Sequence, residues 1–345
     1  MVGVAEIARR ARGQASGELA SLPILALNVH SACNCRCVMC DIWKANAEKR
    51  ELTPDALFAH VDAIRRLHVQ RVMLTGGEPL LNRNLWKLCE QLRACGIRIT
   101  LVSTGLLIDN HADYIARHVD TVVVSLDGPA DIHDAIRRIN GGFDRIARGV
   151  SSLRVFSSPP RLIARSVVQR DNYAHLAETI AAARRMGFDE ISFLAADLAS
   201  TAFNRPEPWD DARRAEVAVP AAGLEALAGA IARAHASEAA AFSAGFVVGG
   251  VESLRRIDRY YRAVAGRGEY PAVRCNAPWM SAVLEPEGAL RPCFFHEPYP
   301  TREGGLAAIL NSREAIAFRR DLDVDRNAVC RRCVCSLNLP ITQAV

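Results

Sequence analysis

Between residues 24 and about 196 the chain alternates short apolar runs with amphipathic stretches. The runs at 24–29, 71–75, 97–102, 121–125, 162–168 and 191–194 read as six buried strands. Helical periodicity falls between them, near 54–68, 84–95, 109–118, 143–155 and 173–186. In the first of these Thr53 caps, Pro54 takes the first helical position, and Leu57, Val61 and Ile64 form one apolar face. Apolar strands alternating with helices predict a parallel sheet covered on both faces. Right-handed crossovers curl six such units into an open barrel, so the expected fold is α/β, a partial (β/α)6 TIM-like barrel. A proline-broken loop over 204–209 then reads as a linker or lid, followed by helical patterns over 221–240 and 251–264. Apolar runs at 282–284 and 289–291 flank Glu285-Pro286-Glu287-Gly288, a hairpin signal. The pattern divides the chain into an N-terminal extension over 1–23, the barrel over 24–200, a linker and helical region over 201–270, and a small α+β domain over 271–345.

Half of the 345 residues are hydrophobic, enough for one large core and a smaller one. The net charge of +5 comes from 43 basic and 38 acidic residues spread along the chain, so no nucleic-acid partner is expected. The paired arginines, Arg137/Arg138 among them, read as decoration of solvated helix faces. The alanine-rich stretch 221–244 is interrupted by Glu225, Arg233, His235 and Glu238, and no membrane span is expected. Residues 2–17 read as a surface helix without the apolar core of a signal peptide. Eleven cysteines fall in groups with metal-ligand spacing rather than as a disulfide framework, which predicts a cytoplasmic location.

Cys33, Cys37 and Cys40 form a Cys-x3-Cys-x2-Cys triplet just after the first strand, with Cys35 inside it. Three thiolates on a short loop can wrap an iron–sulfur cubane and leave its fourth iron open. A structural zinc wants four ligands, so a zinc knuckle or a chance cluster are the other readings. Each later strand also ends in polar or small residues: Gly76-Gly77-Glu78-Pro79 after the second, Ser103-Thr104-Gly105 after the third, Ser125-Leu126-Asp127-Gly128 after the fourth. Barrel active sites are built from such loops. His133, Asp134 and Arg137 follow as a helix start or a substrate contact. Near the C-terminus Cys275, Cys293, Cys330 and Cys333, with Cys335 just beyond, could hold zinc or a second cluster. Cys89 and Cys95 read as buried small apolar residues.

The triplet, Gly-Gly-Glu-Pro, Ser-Leu-Asp-Gly and the second cysteine set, in this order, resemble the radical S-adenosylmethionine (radical SAM) superfamily. The resemblance implies a 4Fe–4S cluster on Cys33, Cys37 and Cys40 whose open iron is chelated by S-adenosylmethionine. It further implies one-electron cleavage to a 5′-deoxyadenosyl radical that takes a hydrogen atom from substrate, with an external reductant of flavodoxin or ferredoxin type. By resemblance, Gly76, Gly77, Glu78 and Pro79 serve the methionine amino group. Ser125 first, then Ser103 and Thr104, suit the ribose or carboxylate, and Asp127 stands beside them, half structural. Met39 occupies the place of an aromatic residue that commonly touches adenine, and Cys35 is a bystander. The C-terminal set resembles the shortened, so-called Twitch form of the SPASM extension, implying one auxiliary 4Fe–4S cluster on Cys275, Cys293, Cys330 and Cys333, with Cys335 an open alternative for the fourth ligand. An auxiliary cluster offers an electron acceptor and points to net oxidation of a small molecule. The alternative is maturation of a ribosomally made peptide, although fewer than 30 residues precede the first strand, too few for the peptide-binding domain many such enzymes carry. A non-catalytic iron–sulfur or zinc protein would leave the open triplet unexplained.

Overall fold

A computed structural model describes residues 2–301 and 304–345. Its strands are β1 Ile24–His30, β2 Arg71–Gly76, β3 Arg98–Ser103, β4 Thr121–Ser125, β5 Arg161–Val168, β6 Glu190–Ala195, β7 Ser281–Leu284 and β8 Leu290–Arg291. The first six lie within a residue or two of the runs that the hydrophobic pattern marks. The centre of β4 is apolar and β-branched, Val122–Val124, and burial there is nearly complete. The expected helix over 54–68 is two helices, Pro54–Phe58 and Val61–Arg66, with Phe58 exposed at the break.

The chain forms two compact units. The first holds the described residues through Cys33, Lys44–Leu101 and Val273–Val345. Here β1 pairs in parallel with β2, and β2 with β3. On its other edge β1 pairs in parallel with β7, Ile24 opposite Ser281, and β8 returns antiparallel from the expected turn. The hairpin of the C-terminal segment therefore extends the sheet of β1, and the unit runs across the chain-order division expected at 23/24 and 270/271. The N-terminal helix Val4–Ser16 lies at the surface with one inner face, on which Glu6, Arg10 and Gly13 are buried. Arg10 pairs with Glu6 at 2.8 Å and donates to the carbonyls of Ile341 and Gln343 at 3.3 and 2.7 Å. Arg319, also fully buried, donates to Gly17 O at 2.6 Å and to the Tyr299 hydroxyl at 3.2 Å. A buried guanidinium is tolerated where several oxygens accept hydrogen bonds from its N–H groups.

The second unit holds Asn34–Trp43 and Val102–Ala272. In it β4, β5 and β6 are parallel neighbours. Asp211–Ser237 is the one described stretch long and apolar enough by composition to cross a membrane. It is interrupted, however, because the helix Asp211–Val217 ends ahead of Pro220. The following helix, Leu224–Ser237, has 14 residues. That is about 21 Å at 1.5 Å per residue, short of a hydrocarbon core of about 30 Å. Its Leu224, Leu227, Ala230, Ile231 and Ala234 are buried, and it packs on helices Leu176–Met186 and Gly250–Val264.

Candidate active site

In the first unit the segments after β1 and β2 zip together. Gly77 N–H donates to His30 O at 2.7 Å and Glu78 N–H to Ala32 O at 2.9 Å. A Cβ on Gly76 would stand 2.4 Å from His30 O, and one on Gly77 would stand 2.1 Å from Ala32 O. The glycine pair is thus required by the approach of one backbone to another, the one that leads into Cys33. Glu78 is fully buried, and its carboxylate accepts from Leu80 N–H at 3.1 Å, capping the short turn Pro79–Leu81. Asn46 clamps Cys33 from both sides, accepting from its N–H at 2.9 Å and donating to its carbonyl at 2.8 Å. Asn82 donates to Val29 O and Leu52 O at 2.7 and 3.1 Å. Neither asparagine stands out in the sequence, since no pattern distinguishes a clamp from a turn residue.

In the second unit the cysteine loop lies along the end of the helix Ala130–Arg137. Arg36 N–H donates to Arg137 O at 3.2 Å and Val38 N–H to Ile136 O at 3.0 Å. Arg137, read from the sequence as a solvated pair with Arg138, is buried, and its Nη1 donates to Cys37 Sγ at 3.4 Å. Its Nε donates to Asp127 Oδ2 at 2.6 Å, and Asp127 Oδ1 accepts from Val167 N–H at 2.8 Å. Asn172 donates to Asp127 O at 2.8 Å. Asp127, expected among the cofactor contacts, is fully buried and has both carboxylate oxygens engaged by the protein, so its place is behind Arg137. Cys37 is pulled down to about 6 by a hydrogen bond from Cys35 and by the Arg137 charge, against its burial. Cys35 therefore has a partner in the loop. Burial and the Cys37 charge push the Cys40 thiol up to about 12.

The loop read as a linker or lid is a strap fastened over Val38–Asp41. Arg205 is buried, pairs with Asp197 at 2.8 Å, and donates to Met39 O at 3.4 Å. Its guanidinium stacks 3.7 Å from the Trp209 ring, and Trp209 Nε1 donates to Asp41 Oδ2 at 2.7 Å. Arg213 lies 4.8 Å over the same ring and bonds the Val38 carbonyl. Thr104 donates to Asn34 Oδ1 at 3.0 Å, and Ser103 Oγ accepts from Gly105 N–H at 3.0 Å. Ser125 ends β4 half-buried.

The second cysteine set is brought together within the first unit. Asn276 ties the segment after Cys275 to the tail, with Leu337 O and Leu339 O as acceptors at 2.7 Å each. Asn327 caps the helix Ala328–Arg331 through the N–H groups of Val329 and Cys330. Burial pushes Cys293 up to about 11 and Cys330 up to about 12, with neighbouring thiols adding to each: Cys275 and Cys335 for Cys293, Cys293 and Cys275 for Cys330. Burial raises Cys333 likewise, with Cys335, Cys293 and Cys275 beside it. His296, missed by the sequence reading, has its Nε2 3.3 Å from Cys330 Sγ. A tetrahedral zinc site would draw four sulfurs to about 2.3 Å from one ion; among the described residues no group of three His, Cys, Asp or Glu closes to single-ion geometry. Five convergent thiols and a ring nitrogen at one of them fit a thiolate-held cluster, as does Cys37, its thiol lowered, with its guanidinium donor.

Comparison with known proteins agrees with these two sets. A radical SAM superfamily model matches residues 27–183, and a SPASM iron–sulfur cluster-binding domain matches 275–334. An AdoMet-dependent heme synthase of Methanosarcina barkeri is 26% identical over 168 residues, 48% of this chain and 48% of the relative. Mycofactocin maturase MftC of Mycolicibacterium smegmatis is 31% identical over 159 residues, 45% of this chain and 40% of the relative. The matches span about half or less of these relatives' length. Streptococcus suis SuiB, solved with its precursor peptide SuiA, superposes with a TM-score of 0.64 at 14% identity over 94% of this chain and 73% of that one. That likeness shows the fold, the open partial barrel with an α+β extension. Residues 27–183 thus carry a radical SAM domain, which implies a 4Fe–4S cluster and S-adenosylmethionine as cofactors, and residues 275–334 a SPASM domain, which implies an auxiliary iron–sulfur cluster.

Proposed function

We propose that the chain is an oxidoreductase that takes a hydrogen atom from a small-molecule substrate and completes its oxidation by dehydrogenation or bond formation. The cofactors supply a 5′-deoxyadenosyl radical from reductive cleavage of S-adenosylmethionine and an acceptor for the substrate's second electron. Cys33, Cys37 and Cys40 hold the catalytic cluster, and Cys275, Cys293, Cys330 and Cys333 the auxiliary one. Glu78 and the Gly76-Gly77 backbone border the methionine amino group, Ser125 the ribose or carboxylate, and Met39 the adenine. Asn46, Arg137 and the Arg205–Trp209 strap fix the cysteine loop so that the open position is held in one place. A flavodoxin or ferredoxin type of protein delivers the electron. The observation that carries this reading is the second convergent thiol set, which a simple radical generator does not need. The likeness to MftC and to SuiB favours a second reading, a peptide substrate.

One experiment separates the two. Anaerobically reconstituted protein with S-adenosylmethionine and dithionite forms 5′-deoxyadenosine, and cell extract containing substrate raises the yield. For a small molecule the stimulation survives digestion of the extract with protease; for a peptide it disappears. Absence of any 5′-deoxyadenosine from cluster-loaded protein would overturn the assignment of catalysis.

A further inference from the structure

We infer that Arg137 sets the reduction potential of the catalytic cluster by donating a hydrogen bond to the sulfur of Cys37, and that Asp127 is the residue that aims it. The inference rests on Cys37 being a cluster ligand, as proposed above. Arg137 Nη1 lies 3.4 Å from Cys37 Sγ, inside the second unit and out of water. The guanidinium is held by Asp127 at 2.6 Å, and Asp127 is in turn fixed by Val167 N–H and Asn172. The fork geometry of arginine allows one face to pair with the carboxylate while another N–H reaches the sulfur; a lysine ammonium lacks that fork.

Hydrogen bonds to thiolate sulfurs are among the levers that set cluster potentials. An N–H directed at sulfur withdraws charge from it and favours the more negative, reduced state. Reduction adds one electron from the external reductant and makes or breaks no bond. Burial strengthens the effect, because no water competes for the sulfur. The helix residues His133, Ile136 and Arg137 share one buried face, so the donor is built into the packing rather than borne on a mobile side chain.

The test is a potentiometric titration followed by EPR, read on the signal that responds to added S-adenosylmethionine, with iron and sulfide measured alongside. Arg137→Gln with full iron content should show about a tenfold lower ratio of reduced to oxidised cluster at a fixed solution potential, about 59 mV for a one-electron couple. Arg137→Lys should recover less than half of that loss, separating the directed bond from charge alone. An unchanged potential at full iron overturns the inference. Should the glutamine variant fail to fold, with Asp127 left buried and unpaired, wild-type protein labelled with 15N-arginine decides. Pulsed EPR of the same reduced signal should show a weak 15N coupling, and its absence overturns the inference. A wild-type protein with no signal responsive to S-adenosylmethionine would instead remove the reading of Cys37 as a ligand, a result distinct from an unchanged potential.

Discussion

The two cysteine regions differ in what faces their sulfurs: burial raises the Cys40 thiol to about 12, as it raises those of the C-terminal set, and Cys37 alone is pulled down. In the loop, Cys37 receives hydrogen bonds from Cys35 and Arg137, and Arg205 lies beside the same stretch with its guanidinium on the Met39 carbonyl. The Cys37 thiol is held down at about 6, which favours its thiolate at neutral pH. In the C-terminal set the thiols face one another with no guanidinium donor to sulfur among the described residues, and Cys293 and Cys330 rise to about 11 and 12. At neutral pH those sulfurs keep their protons until metal binds, so that binding and deprotonation are coupled. The difference teaches how a loop with one open position keeps its shape. A cluster with four protein ligands is organised by its own bonds, whereas one with three needs fixed charge and a strap around the loop.

The largest effect expected follows from the ligand assignment. Replacing Cys33, Cys37 and Cys40 together by Ala should abolish cleavage of S-adenosylmethionine while leaving the auxiliary cluster. Iron should fall from about eight to about four per chain, counting four per cubane. Retention of all the iron would place the catalytic cluster elsewhere and end the comparison.

Next in size is thiol reactivity in the cluster-free protein, since the thiolate is the nucleophile. A depressed group is ionised above its own midpoint, and a raised one stays protonated until pH passes its higher midpoint. Alkylation of Cys37 followed by mass spectrometry should thus reach its plateau by about pH 7.5, taking the midpoint of about 6. Cys293 and Cys330 should still be rising above pH 10. Their thiolate fractions at pH 8 are on the order of 0.1% and 0.01%. Parallel profiles for all three would erase the contrast between Cys37 and the C-terminal thiols.

A smaller effect is expected at the strap. Trp209→Phe removes one hydrogen bond to the buried Asp41 carboxylate, a loss of about 1–3 kcal/mol. Thermal melting of the cluster-free protein should fall accordingly, and cluster loading should slow. A melting temperature equal to wild type would mean that the strap only covers the loop.

Much of this was legible in the sequence. Six apolar runs marked six strands, because β-branched residues such as Val122–Val124 have few other places to go. The turn Glu285–Gly288 marked its hairpin, and the cysteine spacing marked both sulfur sets. The parallel pairing of β7 with β1 was not legible, since no local signal encodes a partner some 257 residues away in sequence, the separation of Asn28 and Glu285, which bond at 2.6 Å. Arg137 was hidden by its neighbour: the pair looked solvated, yet only Arg138 is exposed. Helical spacing held the clue, for His133, Ile136 and Arg137 fall on one face. Arg205 and Trp209 sit in a proline-broken loop where no periodicity exists to read.

The smallest effect sharpens the comparison most, because it concerns Cys35, the loop thiol expected from the sequence to ligate nothing. Cys35→Ala removes the hydrogen bond that does most to hold Cys37 down, while Arg137 keeps its own bond to the same sulfur. One such bond contributes about 1 kcal/mol net, so the alkylation midpoint of Cys37 should rise by somewhat less than one pH unit, at about 1.36 kcal/mol per unit. Iron content should stay at the wild-type level, since Cys33, Cys37 and Cys40 remain. Replacing Cys335, the exposed thiol of the other set, should leave the Cys37 midpoint where it is. A Cys35→Ala protein that loses the catalytic cluster would make Cys35 a ligand and redraw the triplet. One with an unmoved midpoint would assign the whole depression of Cys37 to the guanidinium of Arg137.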